Sequence, residues 1–114
     1  MHNYKELKIW QRSMDLAKKI YLRSNELPSV EKFGLQSQIR KSSISVPSNI
    51  AEGCGRDTDS KLSYFLQVAQ GSLSELETQL ILMEELTSIQ IEAELKIEID
   101  KLQKMLRVFQ RKFK

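Results

Sequence analysis

The 114-residue chain carries 40% apolar and 29% charged side chains at a net charge of +3, which fits a globular domain with one core and excludes a disordered chain. Four glycines and two prolines are too few for an all-β fold with many turns, and no apolar run approaches the roughly 18 residues of a bilayer span. A single cysteine, Cys54, excludes an internal disulfide, and the N-terminal stretch lacks an apolar signal core, so a cytoplasmic location is expected.

The first helix is expected over residues 4–25. Leu7, Trp10, Met14, Ala17 and Tyr21 recur at steps of three and four and predict its core stripe. Ile9, Leu16, Ile20 and Leu27 lie about a third of a turn away and predict a second apolar face, available for contact between subunits. Lys5, Lys8, Arg12, Lys19 and Arg23 align as a basic strip interrupted by Asp15.

A second helix is expected over 29–54, opening at Ser29 just after Pro28. Leu35, Ile39, Val46, Ile50 and Cys54 keep helical spacing across Pro47, which predicts one helix kinked near that residue. Pro47 removes the hydrogen bond to the Ser43 carbonyl at a cost of about 3 kcal/mol, and it pushes Val46 away from helical geometry. Ser42, Ser43, Ser45 and Ser48 are candidates to satisfy the freed backbone groups; two shorter helices broken near 45–47 are the alternative. Gly53 or Gly55 is expected to end the helix in a left-handed cap.

The third helix, 58–87, has an unbroken stripe of Leu62, Leu66, Ala69, Leu73, Leu76, Leu80 and Met83, with Asp57 or Thr58 as its cap. The fourth, 91–112, places Leu95, Ile99, Leu102, Leu106, Phe109 and Phe113 on one face. Opposite them lie Lys104, Arg107, Arg111 and Lys114, with Lys101 and Lys112 nearby and no acid between 101 and 114. Short breaks join the segments, so the fold class is all-α: an antiparallel up-down four-helix bundle in one domain over residues 1–114. Residues 57–91 carry one basic and six acidic side chains, whereas the segments on either side are net basic. Helices of opposite sign are therefore expected to pack side by side.

Asn49, Glu52 and Arg56 follow one another along a single strip, with Glu52 in the favourable orientation four residues before Arg56. Together with Gln38, Arg40 and Glu75 they predict a structural polar network fastening the second helix to the third; a recognition site for a partner or nucleotide is the alternative. Catalytic chemistry has little to work with. His2 is the only histidine and lies at the chain's start, and Cys54 reads as a small buried apolar residue. Metal-ligand spacing is absent, and "GCGR" is too short for a phosphate loop. The expectation is no enzyme, no metal and no cofactor.

The strings "LKIWQRSMDLAKKIY", "LPSVEKFGLQSQIRKSSISVPSNIAEGCGR" and "FLQVAQGSLSELETQL" resemble the bacterial four-helix-bundle family of proteins encoded in intervening sequences of 23S rRNA genes. The likeness spans about residues 4–86, centred on Gln38, Arg40, Pro47, Asn49, Ile50, Ala51, Glu52, Gly53 and Arg56. Lys41 departs from it, standing where arginine is common, which keeps the charge without the bidentate fork. The resemblance implies a homo-oligomeric ring, a pentamer, with no established enzymatic activity. More distant relatives are accessory proteins of diversity-generating retroelements, associated with nucleic acid and a reverse transcriptase. With the basic strips, this predicts a ring-forming bundle that binds RNA or DNA through Lys5, Lys8, Arg12, Lys19, Lys101, Lys104, Arg107, Arg111, Lys112 and Lys114. Aromatics are not interleaved with these cations, so strong sequence preference is not expected. An oligomeric scaffold for a protein partner, its charges serving only solubility, is the alternative.

Overall fold

The computed structural model describes residues 2–113. Four helices run in order: α1 (Lys8–Ser24), α2 (Leu35–Cys54), α3 (Asp59–Leu86) and α4 (Ala93–Gln110), with single 3₁₀ turns at Tyr4–Glu6, Ser29–Glu31 and Arg111–Phe113. Each helix packs on the next, and α4 returns to α1, closing an all-α, up-down four-helix bundle of 44 × 26 × 20 Å. No helix among the described residues is long and apolar enough to cross a membrane.

Helix α3 forms where its stripe predicts. Thr58 has extended backbone and its hydroxyl accepts the Lys61 N–H at 3.2 Å, while Asp59 sits in the first turn. All seven stripe residues from Leu62 to Met83 are buried. In α4, Leu95, Ile99, Leu102 and Leu106 are buried, and Phe109 and Phe113 close the end of the core edge to face, 4.9 Å apart.

Helix α2 is continuous through Pro47 and buries Ile39, Val46, Ile50 and Cys54. It is one helix, not two. Its start differs from expectation: α2 begins at Leu35, where the Glu31 carboxylate accepts the Leu35 N–H at 3.4 Å. Residues 29–34 offer no face to bury, since Val30 and Phe33 are 84% and 89% exposed, so nothing stabilises a longer helix there. The serines do not take over the backbone beside the proline as expected. Ser43 returns its hydroxyl to Arg40 O, and Asn49 Nδ2 donates to Ser45 O at 2.8 Å. The left-handed cap is also absent: Gly55 keeps right-handed φ (−85°) and its N–H bonds the Ala51 and Glu52 carbonyls at 3.2 Å. Gly53 has a different reason to be glycine. A Cβ there would stand 3.0 Å from both Leu62 Cδ1 and Phe65 Cβ, so it marks a close approach of α2 to α3.

Helix α1 inverts its expected assignment. Ile9, Leu16, Ile20 and, beyond its end, Leu27 are the core residues, while Trp10, Met14 and Tyr21 line an outer groove against α2. Only Ala17 of the expected stripe is buried. Ser13 and Ser24 explain the choice of face. Both are buried and small, and each satisfies its hydroxyl on a carbonyl of its own helix, Trp10 O at 2.8 Å and Tyr21 O at 2.6 Å. That face approaches the bundle closely, while Leu7 and Trp10 pack only at the edge of the core.

Candidate nucleic-acid interface

The basic strip expected along α1 does not stand free along its length. Arg12 turns across to α4 and meets Glu98, with Nη2 at 2.7 Å and Nε at 2.9 Å. This hydrogen bond raises the guanidinium's pKa further above its ordinary value. Arg23 is paired with Glu26 and lies 2.7 Å from Glu92, and Lys19 is paired with Asp15 at 2.9 Å, a contact that raises its pKa. The cause is the antiparallel pairing of α1 with α4, which lays Glu92 and Glu98 beside the arginines.

On α4, Lys104 is held by Asp100 at 3.1 Å, one turn back. Lys101, Arg107, Arg111 and Lys112 are exposed and have no carboxylate within ion-pair distance among the described residues, and the same holds for Lys5 and Lys8. Lys114 lies outside the described residues. The start of α1 and the end of α4 come together here, and Lys8, Lys104 and Lys112 rim one shallow cleft over Val108 and Phe109. His2 belongs to this end, edge-on to Phe113 at 5.2 Å. Lys5, Lys8, Arg107, Arg111 and Lys112 thus lie at one end of the bundle, with Lys101 midway along α4, rather than forming two strips. Such an arrangement can hold several phosphates at once, each contact weak and screened by salt.

The polar residues of α2 divide between two neighbours. Arg40 faces α1, not α3: Nε donates to Ser24 Oγ at 2.8 Å, Nη2 to Asn25 Oδ1, and the guanidinium stacks 3.9 Å over the Tyr21 ring. Asn49 bonds within α2, to Ser45, whose hydroxyl meets Ser72 of α3 at 2.7 Å. The Glu52–Arg56 pair, at 2.7 Å, lies on the surface, with Arg56 4.9 Å over Phe65 of α3. Gln38 and Glu75 are exposed and make no side-chain hydrogen bond among the described residues, because both project from outer helix faces. The six residues do not join into one network. The α2–α3 tie that exists runs through Ser45 and Ser72, buried or half-buried hydroxyls that a search for charged strips passes over. No group of three or more potential metal ligands occurs among the described residues.

Over residues 5–108 the sequence matches the family model described as 23S rRNA-intervening sequence protein. No curated protein matches it.

Proposed function

Because the chain belongs to the 23S rRNA-intervening sequence protein family, we propose that it is a non-enzymatic, ring-forming bundle that binds RNA or DNA through its cationic end without strong sequence preference. The observation that carries this reading is the set of Lys5, Lys8, Arg107, Arg111 and Lys112, exposed and without carboxylate partners among the described residues, where α1 begins and α4 ends, with Lys101 midway along α4. Phosphate contacts from such a set supply affinity independent of base sequence. Repetition around a ring adds avidity, because each further contact becomes intramolecular.

The test is fluorescence anisotropy with duplex DNA and with structured RNA over a salt series. Log affinity is expected to fall linearly with log salt. Lys8→Gln, Arg111→Gln and Lys112→Gln are each expected to reduce the slope by roughly 0.7–0.9 per lost phosphate contact. Lys19→Gln, which removes a cation already paired with Asp15, is expected to leave it unchanged. No binding at low salt would overturn the reading.

A further inference from the structure

Between α1 and α2 the bundle leaves an open apolar groove of about 710 Å³, walled by Trp10, Met14, Tyr21, Leu22 and Ile44 with Pro47 on its α2 side. Leu22 and Ile44 are 67% and 48% exposed, so this is apolar surface that the chain does not cover itself. Its border is cationic. Lys18 lines it, Arg40 stacks on its Tyr21 wall, and Lys41 sits one turn before Ile44 on the same side of α2. None of the three has a carboxylate within ion-pair distance among the described residues.

The outer ridge of α3 has the complementary features. Tyr64, Gly71, Glu75, Thr78 and Leu82 follow one another at helical spacing, all exposed. Glycine inside a helix costs about 1 kcal/mol against alanine. Gly71 occupies the middle of a 28-residue helix although a Cβ there would meet nothing within 4 Å. No contact inside the chain asks for that glycine; close approach of another backbone would. Glu75 beside it has no cationic partner among the described residues.

We propose that the α3 ridge of a second copy of this chain lies in the α1–α2 groove, with Gly71 at the crossing point and Glu75 against the cationic border. This rests on the ring reading above and names the two surfaces that close the ring. Groove and ridge are different patches on one chain, so the contact is heterologous, and repeated head to tail it forms a cycle when the rotation from copy to copy closes.

Two variants test it, Gly71→Arg on the ridge and Ile44→Asp in the groove, both at exposed positions where far-UV circular dichroism should report an unchanged helical signal. Light scattering is expected to give a multiple of 13.3 kDa for the parent chain and the single-chain mass for each variant alone. An equimolar mixture of the variants is expected to give a two-chain species and nothing larger, since only one intact groove and one intact ridge remain. If the folded variants still assemble, or the mixture fails to pair, the groove–ridge contact is overturned while the ring stands. A monomeric parent chain overturns both.

Discussion

Arg12 clamps α1 to α4 by donating two hydrogen bonds to Glu98, from Nε at 2.9 Å and from Nη2 at 2.7 Å. Planar guanidinium meets planar carboxylate in the bidentate geometry that makes such pairs stronger than a point contact. Both side chains are half-exposed, so solvent keeps the contribution small. A double-mutant cycle of Arg12→Ala and Glu98→Ala, read by urea unfolding, is expected to give a coupling on the order of 1 kcal/mol. The coupling should shrink in high salt; a vanishing coupling at low salt would mean that this pair adds nothing to the seam.

Gly53 and Gly71 are expected to respond oppositely to alanine. At Gly53 the added methyl meets Leu62 and Phe65 at 3.0 Å, and separating α2 from α3 to admit it should destabilise the chain by roughly 1–3 kcal/mol. At Gly71 the methyl meets nothing, and the monomer should gain about 1 kcal/mol of helix stability. Thermal unfolding of both variants in the Ile44→Asp background separates these effects from assembly.

Glu84 should make the α3–α4 connection sensitive to acid. Its carboxylate accepts the Ile91 N–H at 2.9 Å and meets Lys96 Nζ at 3.0 Å, and these contacts, the backbone bond first, hold its pKa below the ordinary value. A carboxylate depressed by folding contributes stability that is complete above its unfolded pKa of about 4.3 and is lost as pH falls through the lower, folded value. Unfolding free energy measured from about pH 6 down to about pH 3, a range that brackets that value, should therefore decline less steeply in Glu84→Gln than in the parent. Equal slopes would remove Glu84 from the account.

Cys54 is fully enclosed by the core, and burial raises its thiol pKa. The thiolate, which is the reacting form, is thus disfavoured as well as shielded. A water-soluble disulfide reagent at neutral pH should label Cys54 slowly in buffer and at the rate of a free thiol in denaturing urea. Fast labelling of the folded chain would show that the end of α2 opens without global unfolding.

The unbroken stripe of α3 could be read directly from spacing because Leu62 to Met83 present a single apolar face. α1 could not, since two of its faces satisfy the same spacing rule. Periodicity measures the width of an apolar surface without saying which neighbour covers it. The deciding signal was the pair Ser13 and Ser24, whose small size suits a close helix contact but whose polarity reads as exposure. The free cationic strip expected on α1 fails for a related reason. Arg12 and Arg23 find Glu98 and Glu92 only after the chain has folded back on itself. Arg40 similarly turned out to serve α1, through Ser24 and Asn25, rather than α3.

The gathering of unpaired lysines and arginines where α4 ends has an electrical counterpart at the opposite end. There Glu84, Glu85, Glu92 and Glu94 lie around the turn from α3 to α4, Glu84 paired with Lys96 and Glu92 with Arg23. Lys32, Arg40 and Lys41 share that end, so the two ends differ in net charge along the 44 Å axis without being fully sorted by sign. In dilute electrolyte the field of a polyanion would rotate the approaching bundle before contact, so that encounters begin end-on and association quickens as ionic strength falls.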